Sequence, residues 1–74
     1  MSVENAKIYG SKSVDEVWYN TETETLSVRF YSGAKYEFYE VDYGVFQGLM
    51  EAISPGRYFN KHVRNKYKAK KISI

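Results

Sequence analysis

The residues most able to do chemistry in this sequence are cations. Arg57, Lys61, Arg64, Lys68 and Lys71 recur at intervals of three and four residues. If they sit on one helix, at about 100° per residue they fall within roughly an 80° arc. A row of cations held that way is a surface for phosphates, with affinity that is electrostatic and salt-dependent. Tyr58 stands beside the row, turned away from Phe59, where its ring is placed to stack on an unpaired base. The charge is strongly divided along the chain. Before Arg57 there are four basic and nine acidic residues, a net of −5, whereas from Arg57 onward there are seven basic and none acidic, a net of +7. Such asymmetry suggests a directed surface, with nucleic acid the commonest partner. A solubilising cationic tail explains the same composition. The helix dipole alone accounts for cations such as Lys66 and Lys68 near a helix C-terminus.

Other chemistries lack their residues. There is no cysteine and one histidine, His62, so neither a thiolate nor a histidine-based metal site can be built, and no thiol nucleophile exists to be activated. The carboxylate pairs Glu22/Glu24 and Glu40/Asp42 fall in polar, turn-like segments, without the pocket that acid–base catalysis needs to separate two pKa values. The glycines are isolated, so no phosphate-cradling loop is present. A non-catalytic protein without cofactor or metal is expected, with His62 on a helix surface beside the cations.

The elements that must hold the cations can be read from hydrophobic periodicity. Val14, Val17 and Tyr19 mark a first strand with Trp18 on its opposite face. Asn20 to Glu24 is a polar turn. Leu26, Val28 and Phe30 alternate with polar neighbours, as do Ala34, Tyr36 and Phe38, the period-2 pattern of half-buried strands. A two-residue loop at Ser32-Gly33 would set Phe30 against Lys35. A three-residue loop, Tyr31-Ser32-Gly33, pairs Phe30 with Ala34, Val28 with Tyr36 and Leu26 with Phe38, and puts Gly33 at the left-handed position. The three-residue loop is therefore expected. Arg29, Lys35, Glu37 and Tyr39 then share the outer face with Trp18. That face is either a stacking platform for bases, an ordinary solvated face, or a surface under a helix.

Asp42 is placed to cap a helix starting near Tyr43, whose apolar face is Val45, Phe46, Leu49, Met50 and Ile53. Gly44 and Gly48 weaken it and permit close packing against the sheet. Ser54-Pro55-Gly56 stops it. A second helix is predicted from about Arg57 to Tyr67 or beyond, with Phe59, Val63 and Tyr67 as its buried stripe. The fold class expected is α+β: a three-stranded antiparallel meander, then two helices, β-β-β-α-α. Residues 1–12 read as a flexible arm, 13–68 as a single domain and 69–74 as a basic tail.

Length and composition agree with one small domain. At 74 residues the core is thin, and eight Tyr, four Phe and one Trp must fill it. No apolar run approaches the roughly 20 residues that span a bilayer, and the first ten residues lack an apolar signal core. A cytoplasmic protein without membrane contact is expected.

The string Ser54-Pro55-Gly56-Arg57-Tyr58-Phe59-Asn60, with Val63 and Tyr67 after it, resembles the S-x-G-x-Y-F-N pattern of the KTSC domain family. Upstream, Ser13, Val14, Val17 and Tyr19, then Leu26, Val28, Phe30, Gly33, Tyr36 and Phe38, then Val41, Val45, Phe46, Leu49 and Ala52 continue the likeness, over about residues 11–67. There are two departures. The family's Tyr-x-Tyr is Tyr36-Glu37-Phe38 here, and its proline at the helix entry is Asp42. The family comprises short domains found alone in bacteria and phages and at the C-terminus of some lysyl-tRNA synthetases. The resemblance implies no catalytic residue and, through the synthetase context, a link to RNA. The function expected is a small binding module for nucleic acid, RNA preferred, through Arg57, Tyr58, Lys61, Arg64, Lys68 and Lys71. The alternative is a protein-interaction module, such as a small phage or mobile-element protein bound to a host protein. Homo-oligomers are a third possibility, since strand edges in so small a domain invite pairing.

Overall fold

The computed structural model describes residues 3–7 and 13–72. Its strands are β1 (Val3–Lys7), β2 (Val14–Asn20), β3 (Thr25–Phe30), β4 (Lys35–Phe38) and β5 (Ala69–Lys71), with α1 (Tyr43–Glu51) and α2 (Pro55–His62) between β4 and β5. The five strands form one antiparallel sheet in sequence order. Both helices pack on one face.

The class is α+β with two helices after the meander, but the sheet has five strands rather than three. Residues 3–7, expected in a flexible arm, pair with β2 from Val3↔Asn20 to Lys7↔Glu16. The Asn5 side-chain amide strengthens this edge by donating to Glu16 Oε2 at 2.8 Å and to the Val17 carbonyl at 3.1 Å. The rest of the expected arm lies outside the described residues. Residues 69–71, expected in a basic tail, pair with β4 through Phe38↔Ala69, Glu37↔Lys70 and Tyr36↔Lys71. The Tyr39 and Ile72 amides extend this ladder to the Lys68 and Lys35 carbonyls. Neither segment alternates apolar and polar residues; each is a strand because its neighbour offers a row of backbone groups to pair.

The β3–β4 register follows the expected pairing, Leu26↔Phe38 and Val28↔Tyr36. The Phe30 amide donates to Ala34 and the Gly33 amide to Phe30, with Gly33 at φ +96°. In β2 the register shifts between Val14 and Glu16, a β-bulge. The extra residue turns both Val14 and Val17 inward despite their odd spacing. It also gathers Asp15 and Glu16 beside Arg29, which reaches them at 3.0 and 2.7 Å.

The core consists of Val14, Val17, Tyr19, Leu26, Val28, Phe38, Val41, Phe46, Leu49, Phe59 and Val63. Tyr19 stacks on Phe46 and donates its hydroxyl hydrogen bond to the Val41 carbonyl, so its one polar atom is satisfied in the interior. Asp42 caps α1, its carboxylate accepting from the Gly44 amide at 2.9 Å. Phe46 and Leu49 are buried, with Val45 and Met50 packed beside them. Ile53 is fully exposed, because α1 ends at Glu51 and the helical period no longer carries Ile53 to the sheet.

Helix α2 departs from expectation at both ends. Pro55 occupies its first turn, where a missing N–H costs nothing, so the Pro-Gly pair opens this helix as well as separating it from α1. It stops at His62 rather than near Tyr67. The Phe59 carbonyl accepts from both the Val63 and Arg64 amides, and Asn65 at φ +64° then turns the chain back toward the sheet. Asparagine is among the few residues that tolerate this region. Gly48 packs against Tyr58 of α2, not against the sheet.

Candidate functional site

The early end of α2 redistributes the cations. Arg57 and Lys61 are on the helix, Arg64 is in the turn after it, Lys68 precedes β5 opposite Tyr39, and Lys71 lies within β5. The continuous helical stripe therefore does not form. Cross-strand partners share a face of a sheet, so Lys71, opposite Tyr36, is on the helix side, whereas Lys70, opposite Glu37, is on the open side. All seven basic residues from Arg57 onward are exposed. Among the described residues none of the seven has an ion-pair partner, in contrast to Arg29. Tyr58 is half-buried, with its ring 4.5 Å from that of His62 and its hydroxyl end against α1. Burial raises its pKa, with the neighbouring Tyr67 adding to the shift. This placement makes Tyr58 a packing residue between the helices. His62 itself is exposed.

On the open sheet face, Trp18 and the side chains around it are engaged with one another. Lys35 Nζ and the Arg29 guanidinium lie 4.5 and 5.6 Å from the Trp18 ring centroid, so cations already occupy that ring. The Tyr39 hydroxyl donates to Glu37. The Glu22/Glu24 pair is in the exposed β2–β3 turn, where the Asn20 side chain accepts from the Glu22 and Thr23 amides, and Asp42 is engaged as a helix cap. Among the described residues no group of three or more His, Asp or Glu side chains is placed to hold a metal ion. None of the described helices is long and apolar enough to cross a membrane.

On the helix side, one end of the sheet is left uncovered. There a groove of about 600 Å³ opens, floored by Phe30, Tyr36, Phe38, Phe59, Tyr67 and Ala69. Its rim carries Ser13, Ser32, Asn60, Arg64 and Asn65. The groove follows from local events already described: the tight turn at Gly33 ends the hairpin, α2 stops one turn past Phe59, and Asn65 folds the chain away. Edge-to-face contacts orient the floor. Phe30 meets Phe59 at 5.5 Å and Tyr36 at 5.9 Å, and Phe38 meets Phe59 at 5.5 Å. Among the lining residues there is one cation, Arg64, and no carboxylate. The arrangement suits a planar, apolar group attached to an anion.

Of the six residues expected to bind nucleic acid, Arg64 alone lines this groove, with Lys71 on the same side of the sheet. The sequence assigned Phe30 and Phe59 to the core and Ser32 only to the hairpin loop, and gave no role to Asn65. One signal was available: Ser13, Tyr36, Phe38, Phe59, Asn60 and Tyr67, all part of the family-like pattern, converge on the groove.

A family model described as the KTSC domain matches residues 10–67. A lysine–tRNA ligase of Nostoc punctiforme is 38% identical over 55 residues, which take in 74% of this chain and 10% of that protein. The chain thus spans about a tenth of the length of the ligases it matches. A protein of Tsukamurella paurometabola is 36% identical over 59 residues, 80% of this chain and 88% of its own length. The crystal structure of a KTSC domain protein from Yersinia pestis superposes with a TM-score of 0.88 over 96% of this chain and 99% of that one, at 22% identity, a likeness of fold.

Proposed function

This chain belongs to the KTSC domain family, and from that premise we propose that it is a non-catalytic module that binds nucleic acid, RNA in preference to DNA. The observation that carries the reading is the set of seven exposed cations from Arg57 onward, none paired with a carboxylate among the described residues. Exposed cations without internal partners are available to displace counterions from a phosphate backbone. Arg57, Lys61 and Arg64 run along α2 and its exit, with Lys71 on the same side of the sheet, and together they form the principal phosphate-binding edge. Lys68, beside Tyr39, adds to the field from the other face. Kinship with a segment of proteins named lysine–tRNA ligases supports RNA as the partner.

The test is titration of fluorescently labelled single-stranded RNA across a salt series. Binding should weaken steeply with salt, and changing Arg57, Lys61 and Arg64 together to Glu should abolish it. No binding at low salt, or affinity unchanged in the triple variant, defeats the reading.

A further inference from the structure

Resting on the RNA reading, we infer that the groove between α2 and the β3–β4 hairpin is a pocket for a single unpaired nucleobase, with the attached phosphate on Arg64. The site combines three features. Its floor is aromatic, and the half-buried Tyr36, Phe30 and Tyr67 leave ring surface open to it. Its rim carries two exposed carboxamides, Asn60 and Asn65, each offering a donor and an acceptor of the kind that reads a base edge. Its charge is positive, from Arg64, with no carboxylate among the lining residues to oppose an anion. A volume of about 600 Å³ lies within the roughly 300–1,000 Å³ typical of small-ligand sites. An acyl chain would leave the two amides unmatched, and an acidic peptide would leave the aromatic floor unused. A nucleotide uses both.

The inference separates two contributions that the RNA reading alone merges. Cations count phosphates and set the salt dependence. Stacking on the groove floor depends on a base being free of its partner, and removing one such contact costs about tenfold in affinity. The experiment compares an unstructured single-stranded RNA with a duplex of equal length, using the full chain and the variants Tyr36→Ala and Asn60→Ala. Asn60 is exposed, so its variant folds even if loss of the Tyr36 ring does not permit folding; thermal melting verifies both. Each variant should weaken single-strand binding several-fold to tenfold, leave the salt slope unchanged and leave duplex binding unchanged. In parallel, adenosine and uridine monophosphates are titrated into ¹⁵N-labelled protein, with inorganic phosphate as the comparison. The mononucleotides should shift the amides of Asn60, Asn65 and Tyr36, and phosphate should shift at most Arg64.

RNA binding that is salt-dependent but indifferent to Asn60→Ala, with groove amides unmoved by mononucleotides, overturns the pocket and leaves the RNA reading standing. Absence of RNA binding at low salt overturns both. Equal losses for single strand and duplex also overturn the pocket, because a base-specific site cannot act on paired bases.

Discussion

Gly48 of α1 lies directly against the phenol of Tyr58 of α2: a methyl group at position 48 would stand 2.6 Å from Tyr58 Cζ and 2.9 Å from Cε2. The two helices approach this closely because one residue has no side chain and the other fills the space.

The contact makes a signed prediction. Gly48→Ala should gain about 1 kcal/mol of helix propensity but lose about 1–3 kcal/mol to overpacking, for a net destabilisation in urea melts. In a Tyr58→Ala background the space is empty, and the same substitution should stabilise by about 1 kcal/mol. Identical effects in both backgrounds would show that the two residues do not interact.

Tyr19 makes the fold sensitive to alkali. Burial holds its phenol pKa above the ordinary 10.0, and the charges of Glu24 and Asp42 push the same way. The neutral form is favoured in the folded state, so the unfolded chain releases this proton first as pH rises. The contribution is fully present below about pH 10 and is lost as pH climbs from there through the folded-state pKa. Thermal melts between pH 8 and 11 should show a falling Tm. Tyr19→Phe should lower stability at neutral pH by about 1–3 kcal/mol, by stranding the Val41 carbonyl, and should flatten the alkaline decline. A decline as steep in the variant would assign it to other groups, Tyr58 among them.

Two left-handed residues frame the groove, and they should respond in opposite ways to glycine and to branched side chains. Gly33→Ala introduces no steric contact within 4 Å, so its cost is that of the φ +96° backbone alone, about 1–2 kcal/mol. Asn65→Gly should be tolerated or slightly stabilising, whereas Asn65→Val should be clearly destabilising. Differential scanning calorimetry of the three variants is sufficient. An Asn65→Val protein as stable as the parent would contradict the φ +64° turn.

The phosphate-binding edge should be directional. For single-stranded RNA each lost phosphate contact lowers the magnitude of the log–log salt slope by about 0.7. Arg64→Gln and Lys61→Gln should each show a change of that order. Lys70→Gln, on the open face opposite Glu37, should change it much less. Equal changes at all three positions would indicate a diffuse cationic field without an oriented edge.

What could be read before folding was local. The Leu26↔Phe38 register followed from alternation plus the geometry of a three-residue turn, and the Asp42 cap from a carboxylate three residues ahead of the first residue of a helical apolar face. Both involve residues close in sequence, where hydrogen-bond geometry leaves few options. The family-like residues were legible too, although their convergence at one groove was not.

Long-range pairing and the end of α2 were decided only in three dimensions. Val3–Lys7 and Ala69–Lys71 carry no strand pattern, and they become strands because β2 and β4 present backbone donors and acceptors that must be satisfied. The cations kept a helical spacing past His62 because solvated side chains place no constraint on the backbone, so their period carried no information about where the helix stops. The helix ends where the Phe59 carbonyl accepts from both the Val63 and Arg64 amides, and Asn65 at φ +64° then turns the chain away. That turn sends Tyr67 and Ala69 back to the sheet, where strand pairing puts Lys70 and Lys71 on opposite faces, and it leaves the aromatic end of the sheet open beside Arg64.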